Sequence, residues 1–182
     1  MKNNHNGFTL IELIVVIVIL GILGATALPR FADMTTQADR AAVSGIAGAF
    51  GSAVQLVRAQ YLVTADPDGL NIVGFGDGTV DVCTPANCAA SPGYPVSAAS
   101  NLVVVPASHA ICLEVWNGIL QNPPAAVGQA ANLTTAGTDW NATSNGGGVC
   151  QYSYRRSVVN GVAPTRFFTY NANNGAMVVT NP

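Results

Sequence analysis

The stretch "GFTLIELIVVIVILGIL", Gly7 to Leu23, is apolar enough to lie in a lipid bilayer, yet it carries a carboxylate, Glu12, near its start. From Phe8 to Leu28 that glutamate is the only ionisable side chain. The run matches the roughly 20 residues that a helix needs to cross ~30 Å of hydrocarbon, and it reads as a spanning helix. A secretory signal peptide would have a shorter apolar region, a small-residue cleavage site and unrelated sequence after it. Here the helical pattern continues instead.

Pro29 follows the apolar run, and a proline inside a helix removes one hydrogen bond and loosens the preceding turn. Beyond it Ile46, Phe50, Val54, Val57 and Tyr61 recur at spacings of three and four, a single apolar face. Asp39, Arg40, Ser44, Ser52, Gln55 and Arg58 are expected on the opposite face. The two halves predict one N-terminal helix of about 80 Å at 1.5 Å per residue, ending near "TADPDG", Thr64 to Gly69. A helix that long cannot be buried in a small domain. Only its amphipathic half can pack on a sheet, and the apolar half must enter lipid or meet copies of itself.

After the helix, Gly, Asn, Ser, Thr and Pro separate short β-branched runs, the pattern of strands and loops. "NLVVVP" (Asn101 to Pro106) reads as a strand and "AICLEVWNGIL" (Ala110 to Leu120) as a short helix with Ile111, Val115 and Ile119 on one face. Residues 125–148, including Gly146, Gly147 and Gly148, read as loop. "VCQYSYRRSVV", a turn at Asn160-Gly161, "TRFFTY", "NANNG" and "AMVVT" predict an antiparallel three-stranded meander at the C-terminus. The fold class is therefore α+β, a long N-terminal helix packed on a small antiparallel sheet.

Charged residues make up only 9% of the chain, and a net charge of −2 offers no basic footprint for nucleic acid. Lys2 is the only lysine. The positive head "MKNNHNG" favours staying in the cytoplasm while the long C-terminal part crosses, which would put the four cysteines in an oxidising space. Cys83, Cys88, Cys112 and Cys150 allow three pairings. Their spacing and the lack of nearby histidines argue for disulfides over zinc.

Glu12 remains the puzzle. An acidic residue costs ~2.5 to 3.5 kcal/mol at mid-helix in lipid, less near an end, and such a group implies a function and a partner. No cation within the span can serve. A cut after Gly7 would create an α-amine on Phe8, one helical turn from Glu12 and on the same face.

With Gly before the cut, Phe after it and Glu four residues later, the stretch resembles the N-terminal signature of type IV pilins and pseudopilins. The resemblance implies a cleaved leader, 1–7, a transmembrane and filament-core helix, 8–29, and an amphipathic helix with a periplasmic or extracellular head, 30–182. It implies that prepilin peptidase cuts between Gly7 and Phe8 and methylates Phe8, and that Glu12 of an incoming subunit pairs with the Phe8 amine of its neighbour. Gly21 and Gly24 would permit close helix approach, and Pro29 is where the family's helix commonly loosens in filaments. "GYP" (Gly93 to Pro95), Cys112 to Val127, Trp140, Cys150 to Arg155 and Thr169 to Thr180 are similar to blocks of the mannose-sensitive haemagglutinin (MSHA) class of major pilins. By that resemblance Cys112 and Cys150 form the family's loop-closing bridge. A Cys83 and Cys88 pair in "CTPANC" would close a tight local loop and departs from the class, which usually lacks cysteines there.

The remaining candidates have plainer readings. Asp66, Asp68, Asp77 and Asp81 do not fit an EF-hand spacing and read as solvated loop acids. The sequons at Asn132 and Asn141 read as chance matches. His109 lacks an identifiable nucleophile, Glu114 reads as exposed, and no catalytic set or cofactor is expected. The expected role is the structural subunit of a type IV pilus, polymerising with identical subunits after processing and serving attachment and adhesion. Its expected partners are the prepilin peptidase, an assembly platform in the inner membrane and a surface or glycan receptor, with the inner membrane as the first location and the cell surface as the second. The alternatives are a minor pilin, a type II secretion pseudopilin, or a head that itself binds carbohydrate.

Overall fold

The structure is a computed structural model, and it describes residues 8–64, 72–76, 78–83, 92–98, 106, 108–129, 137–157 and 164–181. The chain divides into two compact units, Met1–Asp39 and Arg40–Pro182. A single helix, α1 (Leu10–Thr64, 55 residues), contributes to both, and it contains Pro29 without a break in its assignment. Its end agrees with the predicted stop.

Within the first unit the helix is long and apolar enough to cross a membrane by length and composition. None of its most apolar 18-residue window is buried within the chain. Leu10, Ile11, Ile17 and Leu20 are all exposed. Among the described residues of this unit, none covers this apolar surface.

The second unit is built around the expected face of α1. Phe50, Val54 and Val57 are fully buried, Val43, Ala47 and Ala53 extend the same stripe, and Ile46 and Tyr61 are half-buried. Arg58 departs from the expected solvent face. Its Nη1 donates to the Tyr94 hydroxyl, and its guanidinium carbon lies 4.6 Å from the Tyr94 ring centre, so the aliphatic stem runs toward the head and the charge rests on an aromatic face.

Two sheets follow. Strands β1 (Ile72–Phe75), β2 (Gly78–Val82) and β3 (Pro95–Ser97) form an antiparallel three-stranded sheet in that order. Helix α2 (His109–Ile119) comes next, one residue earlier than its expected start, with Ser108 accepting from the Ile111 amide as the N-cap. Cys112, Val115, Trp116 and Ile119 are its buried residues, while Ile111 is only half-buried. The second sheet has five strands in the order β4 (Ala126–Gly128), β5 (Trp140–Ser144), β6 (Val149–Tyr154), β7 (Phe167–Asn171) and β8 (Ala176–Thr180). The last three are the expected meander. Strands β4 and β5 lie in the region read as loop, and β4 pairs parallel to β5. "WNATS" carries too few β-branched residues to announce a strand. Its pairing with β6 instead places Trp140 opposite Tyr154 and Ala142 opposite Tyr152, so packing decides the conformation. The expected strand at "NLVVVP" and the turn at Asn160-Gly161 lie outside the described residues, Pro106 excepted.

The register puts Trp140, Ala142, Cys150, Tyr152, Tyr154, Phe168 and Tyr170 on one buried face. Phe50 projects from α1 into the middle of it, its ring centre 4.9 Å from that of Tyr152 and 5.4 Å from those of Phe168 and Tyr170. Tilted and edge-on aromatic contacts of this kind contribute about 0.5 to 1.5 kcal/mol each beyond area burial. Helix α2 packs against both sheets and closes the core. Gly175, in the β7–β8 turn at φ 70°, has Tyr94 so close that an added Cβ would meet its ring at 2.1 Å, so both backbone and space require glycine there.

Candidate functional site: the amino end of the apolar helix

The amino end of α1 is closed by its own sequence. Thr9 is the residue before the helix, and its Oγ1 accepts from the Glu12 amide at 3.3 Å. In return Glu12 Oε2 accepts from the Thr9 amide at 3.4 Å and from the Thr9 hydroxyl at 3.2 Å. This reciprocal arrangement is a capping box, satisfying two amide donors that a helix start leaves open. The acid also sits at the positive end of the helix dipole. Thr9 was missed on sequence reading, although the T-x-x-E spacing of Thr9 to Glu12 signals such a box.

Glu12 therefore has a role inside the isolated chain, as the partner of Thr9. Phe8 is 81% exposed and not covered by the chain. Gly7 lies outside the described residues. An added Cβ at Gly21 or Gly24 would meet nothing within 4 Å, so no contact within the chain demands glycine at either position. Any demand for small residues must come from outside the chain.

The head carries the expected bridge. Cys112 on α2 and Cys150 on β6 are joined, with their Cα atoms 5.6 Å apart, and both are fully buried. Cys83 is also disulfide-bonded, while Cys88 lies outside the described residues. The structure leaves Asp66, Asp68 and Asp77 undescribed and corrects the reading of Asp81. That carboxylate is buried in β2 and accepts from the Ser97 hydroxyl, placed there by β2–β3 pairing. Asn141, in the second sequon, is likewise buried within β5. His109 Nδ1 accepts from the Ser144 amide at 2.9 Å, a structural bond between α2 and β5. Glu114 is half-buried on the wall of an open groove of about 1110 Å³, with Leu56, Phe75 and Asn117 also lining it.

Two hydroxyls are sealed in the core. Tyr152 donates to the Cys112 carbonyl and Tyr170 to the Pro95 carbonyl, each at 2.9 Å. Burial pushes both phenols well above their ordinary range, because a phenolate has no solvation there.

Fold and site thus define an α+β chain whose helix begins in a capping box, exposes a long apolar surface and ends as one wall of a disulfide-closed head. The family model of the prokaryotic N-terminal methylation motif matches residues 2–28. The type IV narrow pilus major component PilA5 of Thermus thermophilus is 45% identical over 92 residues, which cover 47% of this chain and 79% of that protein. No solved structure matches the chain. The chain belongs to the type IV pilins.

Proposed function

We propose that this pilin is a structural subunit that polymerises into a type IV pilus through α1 after its leader is removed between Gly7 and Phe8. The observation that carries the reading is the first unit's apolar surface, which is uncovered in the chain and led by the methylation motif. Before assembly that surface lies in the inner membrane, with the head outside. Prepilin peptidase frees and methylates the Phe8 amine, and methylation leaves it cationic. An assembly platform then moves the subunit from lipid into the filament, where Glu12 meets the Phe8 ammonium of a neighbour. Gly21 and Gly24 let neighbouring helices approach, and Pro29 marks where the helix loosens. The bridge between Cys112 and Cys150, together with a Cys83 and Cys88 pair, holds the exported head, which forms the pilus surface that attaches to cells or substrates.

The name of the Thermus relative, a major component of its pilus, supports a major subunit. Intact mass of sheared filaments tests the reading. The expected product starts at methylated Phe8 and dominates the filament. A chain starting at Met1, or after a cut near Ala27, would overturn it, whereas a trace amount in a filament built of another pilin would mark a minor pilin or a pseudopilin. The groove beside Glu114 favours a second reading, a head that itself binds carbohydrate. Glycan arrays probed with intact filaments, wild type against Glu114→Gln, test it.

A further inference from the structure

Just beyond Pro29, α1 carries Arg30 and Asp33, both exposed. They stand three residues apart with the cation first, the less favourable order for an intrahelical pair. Neither makes an ion pair with another described residue. Around them Leu28 is 72%, Phe31 65% and Met34 63% exposed. Thr26, Ala27, Arg30, Phe31 and Met34 line one shallow groove along the helix. If a partner covers these apolar side chains, it also takes the guanidinium and the carboxylate out of water. Unpaired, those charges would oppose the burial that the apolar side chains favour.

We propose, on the assembly reading above, that Arg30 of one subunit and Asp33 of the next form a second ion pair between copies, in the same register as the Glu12 and Phe8 pair. Glu12 follows Phe8 by four positions, so a copy displaced by four residues, about 6 Å along a parallel helix, brings its Phe8 level with Glu12. The same displacement brings its Arg30 level with Met34 of the first copy, one residue or about 1.5 Å from Asp33. In both pairs the cation precedes the anion, so one direction of shift serves both. In the single chain, where α1 runs unbroken through Pro29, Glu12, Arg30 and Asp33 fall within an arc of about 60° of the helix at 3.6 residues per turn.

A second copy fits this patch better than an anionic lipid surface. From Pro29 to Arg40 the helix has two cations, Arg30 and Arg40, and two anions, Asp33 and Asp39, so the segment has no net charge to draw lipid phosphates. A copy presents both signs at matching positions.

Charge reversal in the full-length chain tests the pair. Arg30→Glu and Asp33→Arg subunits should still be processed to Phe8, by intact mass, and keep the Cys112 to Cys150 bridge, by non-reducing peptide mapping. Their filament yield against processed subunit should fall by about tenfold or more, the effect of ~1.4 kcal/mol at each contact. Co-expressing the two variants should restore filaments containing both chains, because each brings the charge the other needs. An intrahelical pair would gain nothing from such mixing. Wild-type yield from either variant, or no recovery on co-expression, would overturn the proposal. A loss confined to Arg30→Glu would assign the guanidinium to lipid phosphate and overturn it too. If Glu12→Gln abolishes filaments while both reversals assemble, the assembly reading stands and only this contact falls.

Discussion

Glu12 caps its own helix, and substitution can separate that role from the assembly role proposed for its charge. Glutamine keeps the capping box, since an amide oxygen can still accept from the Thr9 amide, but it brings no charge. Glu12→Gln subunits should therefore insert and be cleaved, while filament yield falls more than about a hundredfold, because an uncompensated ammonium in an apolar bundle costs ~3 to 5 kcal/mol. Thr9→Ala does the reverse, weakening the helix start by about 1 kcal/mol while leaving the carboxylate in place. Surface filaments measured against total subunit decide between the roles, and normal piliation in Glu12→Gln would remove the charge from assembly. The sealed tyrosines make a separate prediction about pH. Their phenols hold protons more tightly folded than unfolded, so the stability they confer is complete below the ordinary value of about 10 and is lost as pH rises above it. Tyr170→Phe should cost about 1 kcal/mol near neutral pH, since the Pro95 carbonyl loses its donor, and should flatten the alkaline decline. Denaturant melts at stepped pH check both.

At the level of elements, the bridge between α2 and β6 is the cross-link whose removal should matter most. It closes a sequence separation of 38 residues, for which the chain-entropy model gives about 4 kcal/mol. Cys112→Ala with Cys150→Ala should lower head stability by up to that amount, measured by urea denaturation of the oxidised protein. A loss below about 1 kcal/mol would mean that α2 is held by Trp116, Val115 and Ile119 alone. Elements also differ in how well they could be read. The α1 stripe was legible because Phe50, Val54 and Val57 repeat at helical spacing and are buried as that spacing requires. Strand β5 was not, because Asn141, Thr143 and Ser144 look like loop residues until β6 pairs with them.

For the molecule as a whole, the consequence of assembly can be read from its missing amines. Once residues 1–7 are removed, Lys2 goes with them and no side-chain amine remains. The only amine left is that of Phe8. If Phe8 is methylated and paired with Glu12 in a filament core, intact filaments should resist amine-directed dyes, whereas unprocessed precursor in detergent should label at Met1 and Lys2. Label mapped to Phe8 on intact filaments would place that terminus in water and remove the buried pair.

The sequence by itself determined the helix, its capping and its apolar surface, because these depend on residues within a few positions of one another. The unbroken apolar run and the spacing of Phe50, Val54 and Val57 needed no distant partner to be read, and the Thr9 to Glu12 box, though missed, is as local. Tertiary structure alone decided the five-stranded sheet, the burial of Asp81 against Ser97, the turn of Arg58 onto Tyr94 and the burial of Asn141. Each of those depends on which strand or ring lies opposite, and a partner many residues away leaves no periodic trace beside the residue it governs.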